Sequence, residues 1–426
     1  MVSAATPLLD APLQIGSALV RNRLYRAPVL EGAGSGPDAA KLYAKQFVAN
    51  ARAGVGLIVQ GNSCIYEEGR TSPGMTLVNT RERVLALGEM VDAVHREGGA
   101  VFLQIGHGGI YAMEAWHHPY AEERKGPLLA PSKLPLALRP AFLRAPIHPM
   151  TTDEVYAMAT RCGEIAAWAR EAGYDGIQLA SGNAKLIHQF LTPFYNRRND
   201  EFGGSVENRA RLLRVIREAV AERAGADYAC TVKIPVDEKA PPLMPRISFD
   251  DGMEMCRLAQ EWGYHAVTPV RLSVLPDTTL TKGDIPASLW RNKTMKRRLR
   301  EAAPSRVQWS VLMAGYVVGS VRNPFRPVWN RDVFREAKRR LSIPVFAVGG
   351  IRTTDEVNGI LEDGQADMVG IGRPFYAEAD LASRILEGSD EPRRCRNSNF
   401  CVPAEMLGMK GTCYNPAVKK TTGASS

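Results

Sequence analysis

The chain has 426 residues, 45% of them hydrophobic, with a formal net charge of +9, which suffices for the buried core of one large domain. No stretch reaches the roughly 20 apolar residues of a membrane-spanning helix, and the N-terminus MVSAATPLLDAPLQIG lacks the basic start and apolar run of a secretory signal. Seven cysteines, four scattered and three near the C-terminus, do not read as a disulfide framework in a chain this long, so the cytoplasm is the expected compartment.

In chain order, apolar runs alternate with amphipathic segments. Asn22 to Val29 reads as a first strand, Lys41 to Ala53 as a helix stopping at Gly54, and Val55 to Gln60 as a second strand. A helix from Glu82 to Arg96 and a third strand from Ala100 to Ile105 follow. A Pro-rich, aromatic excursion then runs from His107 to Met150. Thr151–Thr152–Asp153–Glu154 has the spacing of a capping box, in which hydroxyl and carboxylate satisfy the amides at a helix start.

Tyr174 to Ala180 is the fourth strand. It opens onto Ser181, Gly182 and Asn183, and a helix carrying Leu213, Ile216 and Val220 follows. Ala229 to Ile234 and Ala266 to Pro269 are strands five and six, separated by a helix from Asp250 to Trp262. Val345 to Val348 and Met368 to Ile371 are seven and eight, separated by a helix from Thr354 to Glu362. Eight alternations predict an α/β chain folded as a single (β/α)8 TIM barrel, with a doubly wound open sheet as the alternative.

Two loops, after strands 3 and 6, are far longer than usual and are lid candidates; the second, about 271–330, also reads as an oligomer-forming insertion. From Arg291 to Arg340 fourteen Lys and Arg face only Glu301, Asp332 and Glu336, so the charge excess sits there. Such a patch reads as a solvated helical face or as an attractor for an anionic substrate. No nucleic-acid motif accompanies it.

Val348–Gly349–Gly350–Ile351 follows the seventh strand, and Gly370–Ile371–Gly372–Arg373–Pro374 follows the eighth. Glycines let backbone amides approach an anion, and loops after strands 7 and 8 are the usual phosphate site of such barrels. A phosphate-bearing cofactor or substrate is expected there.

The run HQFLTPFYNRRNDEFGGSVENRAR closely resembles the segment after the fourth strand in the old yellow enzyme family of NADH:flavin oxidoreductases. NRLYRAPV, GLIVQGN, FLQIGHGG, VFAVGGIRT and ADMVGIGRPF resemble that family's first, second, third, seventh and eighth strands. The resemblance implies FMN across the barrel mouth, met by Ala27, Pro28, Leu30, Asn62 and Gln104, with Lys233 near the pyrimidine edge where arginine is usual. Gly349, Gly350, Gly372 and Arg373 would hold its phosphate, and NAD(P)H would be the co-substrate.

The chain departs from the family at the chemistry. Where the family has a His-x-x-His or His-x-x-Asn pair, Ala180 and Asn183 stand, and Lys185 replaces the usual tyrosine. Asn183 and Lys185 are therefore the catalytic candidates, as substrate ligand and proton donor; His107 and His188 read as structural. Leu30 occupies the place of a hydroxyl or thiol near flavin O4. Cys395, Cys401 and Cys413 resemble the cluster segment of the 2,4-dienoyl-CoA reductase-like members, but one of four cysteines is missing, so a remnant without an iron–sulfur cluster is expected.

The expected organisation is a barrel over 1–390 and a tail over 391–426. The expected function is hydride transfer from NAD(P)H through FMN to an activated alkene or related acceptor. The expected partner is a small-molecule substrate, an anionic one among the candidates, with neither nucleic acid nor membrane involved and a homo-oligomer left open. A flavin-dependent amine demethylase or dehydrogenase, a flavin-binding barrel with lost turnover and a flavin-free phosphate-handling lyase are the alternatives.

Overall fold

Short apolar runs, each followed by a helix that returns the chain over the outer face, pair into one eight-stranded parallel sheet. The strands are β1 (Leu24–Arg26), β2 (Leu57–Cys64), β3 (Ala100–Gly106), β4 (Gly176–Leu179), β5 (Ala229–Lys239), β6 (Ala266–Ser273), β7 (Phe346–Ala347) and β8 (Met368–Ile371). They pair in the order β6-β5-β4-β3-β2-β1-β8-β7, and a bridge between Val267 and Val345 joins the two ends. The expected (β/α)8 barrel is thus formed. The computed structural model describes residues 8–136, 138–139, 145–389, 391 and 393–421. Parts of the N-terminal stretch, of the loop after β3 and of the tail lie outside the described residues.

The outer helices include α1 (Ala39–Arg52), α2 (Gly88–His95), α3 (Thr152–Glu171), α4 (Leu186–Leu191), α5 (Val206–Ala224), α6 (Phe249–Glu261), α7 (Lys293–Ala302), α8 (Arg306–Arg322), α9 (Arg331–Arg340) and α10 (Thr354–Glu362). The expected capping box opens α3: Glu154 N donates to Thr151 Oγ1, and Thr151 N donates to Glu154 Oε2 at 2.7 Å. The main core lies between strands and helices, and a second fills the barrel interior around Tyr25, Phe102, Phe346 and Met368.

Several boundaries differ from the sequence reading. The first strand is only Leu24–Arg26, and Pro28 lacks the N–H that further pairing needs. The expected helix Glu82 to Arg96 is two pieces, Arg81–Leu85 and α2, broken where Gly88 lies against the Ala172 carbonyl. β5 and β6 continue past the expected Ile234 and Pro269. A hairpin of Leu13–Ile15 and Ala18–Val20, not anticipated, sends Ile15, Ala18 and Val20 into the interior cluster. Ser17 N donates to Asp227 O just before β5 begins, so this hairpin plugs the amino end of the barrel and leaves the carboxyl end for chemistry.

The insertion after β6 is helical. Leu289, Met295 and Leu299 form a satellite core with Ala404 and Leu407 of the tail, and Trp116 of the β3 loop packs against it. Arg298 Nη1 donates to Leu407 O at 3.1 Å. Tail and insertion thus support one another beside the barrel.

Candidate active site

The carboxyl ends of β2, β3 and β4 converge. A Cβ added at Gly106 would lie 3.0 Å from Ala180 Cβ and 3.0 Å from Asn62 Oδ1, so a side chain there would fill the space between them. Asn62 Oδ1 is buried with no hydrogen-bond partner. Beside it, Gln104 Nε2 donates to Gln178 Oε1 at 2.8 Å, which leaves Gln178 Nε2 buried and unpaired. Buried amides rarely stay unpaired, so these groups suit a polar ligand edge. Ala27 N donates to Ile371 O at 2.9 Å, joining the end of β1 to the β8 turn at Gly372. Leu30 bridges Gly61, and its carbonyl accepts from Tyr376 OH at 3.0 Å.

Lys233 on β5 lies alongside Gly182, where an added Cβ would be 3.4 Å from Lys233 Cδ. Ser181 Oγ donates to the Lys233 carbonyl and locks β4 to β5. Although part of its side chain reaches solvent, burial draws the Lys233 ammonium down to about 8. Its amine has no hydrogen-bond or ion-pair partner among the described residues.

Asn183 and Ala184 both adopt left-handed conformations, φ +52° and +55°, at the turn into α4. An alanine there is strained and needs external support. His188 supplies it: Ala184 N donates to His188 Nδ1 at 2.9 Å, and His188 Nε2 meets Glu238 Oε1 at 2.5 Å. Lys185 begins α4 near the Cys64 thiol; burial draws its ammonium down to about 8 while its side chain keeps some exposure. Neither Asn183 nor Lys185 has a side-chain hydrogen bond among the described residues. His107 accepts from Gly109 N at 3.0 Å through Nδ1, and burial lowers it to about 3, so it stays neutral near pH 7.

At the opposite side, Gly349 and Gly350 take φ +117° and +81°. A Cβ at Gly350 would meet Arg326 O at 2.5 Å and Trp329 Cδ1 at 2.8 Å, so only glycine fits. Asn330 fixes this segment by donating to Pro269 O at 2.8 Å and accepting from Arg271 N at 3.1 Å. The Arg373 guanidinium donates to Lys282 O at 2.9 Å, to Thr281 O and to Asn399 Oδ1, which ties the β8 turn to insertion and tail.

Cys395, Cys401 and Cys413 do come together, lining a cavity of about 20 Å³ that also touches Arg373 and Ser398. Ser398, beside the missing cysteine's place, accepts from Asn415 Nδ2 at 3.1 Å. Among the described residues, no three His, Cys, Asp or Glu side chains are arranged to hold a metal ion. Among the described residues lining this cavity, three are cysteines and none is a fourth. A larger cavity of about 330 Å³, lined by Glu114, Trp116, Lys125 and Gln308, shares no residue with the strand ends.

Sequence reasoning missed Glu238 and Gln178. Gln178 was open to detection, being a polar residue inside the apolar run of β4. Glu238 was not, because the expected strand ended at Ile234 and its partner His188 is 50 positions away.

Barrel, mouth and glycine turns define a (β/α)8 barrel with a polar site at its carboxyl end. The chain belongs to the NADH:flavin oxidoreductase / NADH oxidase family, whose family model matches residues 9–267. It is 26% identical over 400 residues to an NADH oxidase of Thermoanaerobacter brockii, covering 93% of this chain and 54% of that one. It is also 26% identical over 418 residues to an N,N-dimethylglycine/sarcosine dehydrogenase of Chromohalobacter salexigens, covering 96% and 53%. The chain thus spans about half the length of these curated relatives. Among solved structures, a 2-naphthoyl-CoA reductase in complex with 2-naphthoyl-CoA superposes with a TM-score of 0.75 at 18% identity, covering 97% of this chain and 57% of that one.

Proposed function

We propose that the chain is an FMN-dependent oxidoreductase that passes hydride from NAD(P)H to an activated alkene or related acceptor. The observation that carries this reading is the ring of unpaired polar groups at the mouth, Asn62, Gln178 and Lys233, facing across the barrel from the Gly349–Gly350 turn. FMN supplies hydride acceptance and donation at its ring when bound. Asn62, Gln104 and Gln178 fit a ring edge of alternating donors and acceptors. Lys233 fits the part of that ring that gains negative charge on reduction, as a point charge rather than a fork. Backbone at Gly349, Gly350 and Gly372, with the charge of Arg373, fits the phosphate.

Asn183 Nδ2 is the side-chain donor left for a substrate carbonyl, since Ala180 offers none; a donor there strengthens as enolate charge develops. Lys185, with an ammonium that titrates near 8, delivers the proton that completes the reduction. Lys185 and Lys233 make the mouth electropositive, which favours an anionic or carbonyl-bearing acceptor over the cationic amine of a dehydrogenase. The named thioester of the structural neighbour is of that kind.

The test is to denature the purified protein and identify released flavin, then mix the holoprotein with NADH or NADPH in a stopped-flow instrument. Bleaching of the flavin absorbance followed by reoxidation with an α,β-unsaturated acid or thioester is expected. Absence of flavin after reconstitution, or bleaching by amines but by neither nicotinamide, overturns the reading.

A further inference from the structure

Helix α8 carries large apolar side chains on both its covered and its exposed side. Between Arg306 and Arg322 it carries no charged residue. One side, with Trp309, Leu312, Met313 and Tyr316, packs into the satellite core. A helix with apolar side chains on both sides is ordinarily buried on both. Yet the opposite side of α8 faces solvent: Val307 is 72% exposed, Val311 65%, Val318 47% and Val321 67%. With Ala314, these valines recur at intervals of four and three residues, so they form one continuous stripe.

The stripe has a cationic frame. Arg306 and Arg322 are exposed at the two ends of α8. Lys293, Lys296, Arg297 and Arg300 are exposed on the neighbouring α7, and Arg300 stacks over the Trp309 ring, 5.4 Å from its centroid. Glu301 is the only acidic residue from Lys293 to Arg322. A second copy of the chain would set cations against cations, which disfavours self-association through this face. An apolar stripe framed by cations is instead complementary to a surface with an oily interior and anionic headgroups. Among the described residues no helix is long and apolar enough to cross a membrane, so such contact would be lateral.

We infer that the α7–α8 face docks the protein on anionic lipid bilayers, with the α8 valines inserted at the headgroup boundary and the surrounding Lys and Arg on the lipid phosphates. This reading does not depend on the proposed redox chemistry.

The test is flotation of the 426-residue chain with vesicles of equal parts phosphatidylglycerol and phosphatidylcholine, and with phosphatidylcholine alone. Binding to the anionic vesicles, weakened by salt and reduced at least about tenfold in the double variant Val311→Asp, Val318→Asp, is expected. Both positions are exposed, and an unchanged circular dichroism melt shows that the variant folds. No preference for anionic vesicles, or binding that survives the double substitution, overturns the inference. So does a dimer in sedimentation velocity that the same substitutions dissociate, which would assign the face to a second copy.

Discussion

His188 Nε2 lies 2.5 Å from Glu238 Oε1, and neither side chain has any exposed surface. Because Ala184 N donates to Nδ1, the ring proton belongs on Nε2, facing the carboxylate. Glu238 Oε2 also accepts from Thr192 Oγ1 at 2.7 Å and from Ile247 N at 2.6 Å. One buried carboxylate on β5 therefore holds α4 and the strained turn that carries Asn183.

Replacing His188 by leucine removes two hydrogen bonds and leaves Glu238 short of a donor. A loss of about 2–3 kcal/mol is expected, since a buried acceptor is left without its donor. Flavin content should persist, while substrate-driven reoxidation slows because Asn183 loses its support. An unchanged urea midpoint would show that the turn stands without His188.

Asn183→Ala should slow reoxidation by the substrate about a hundredfold, the usual cost of one lost oxyanion donor. Reduction by nicotinamide should change much less. With the Lys185 ammonium near 8, its proton-donating form is depleted as pH rises through that value, so reoxidation should fall above it. Lys185→Met should give a lower and flatter profile. An alkaline limb that persists in Lys185→Met assigns the proton to another group.

Arg373→Ala should weaken FMN by about 1.5–3 kcal/mol, the worth of a charge-assisted contact. Because Arg373 also bonds the Thr281 and Lys282 carbonyls and Asn399, limited proteolysis near Lys282 should become faster. Faster proteolysis with unaltered flavin affinity would make Arg373 a structural tie alone.

Burial pushes the Glu31 carboxyl up to about 7 and that of Glu405 up to about 8; Arg26 and Arg373 respectively oppose the rise, and Glu31 adds to it at Glu405. Raised folded values mean that the folded chain holds these protons when the unfolded chain has lost them. Their stabilisation is full below the unfolded value of about 4.5 and is lost as pH climbs through 7 and 8. Glu405→Gln should therefore raise the melting temperature at pH 8 more than at pH 5. An equal effect at both would detach Glu405 from this behaviour.

Anaerobic purification followed by iron and sulfide analysis should find far less than a cluster's content, because three thiols lack the fourth ligand. About four irons per chain would show that a non-cysteine group completes the site.

The strands and the glycine turns that follow β7 and β8 were legible in the sequence because each depends on local chemistry. Apolar runs between amphipathic helices can be satisfied only by a covered parallel sheet, and Gly349–Gly350 declares its backbone by residue type alone. The chain-order positions of Gln104, Asn183 and Lys233 at strand ends followed from the same pattern. Contacts distant in sequence were not legible. Nothing near His188 names Glu238, nothing near Arg373 names Asn399, and the N-terminal plug meets the barrel through Asp227 O. Sequence periodicity also could not tell which side of α8 is covered, since both sides are apolar. Those outcomes were set by closure of the sheet and by packing of insertion against tail, which choose among locally equivalent partners by burial and hydrogen-bond satisfaction.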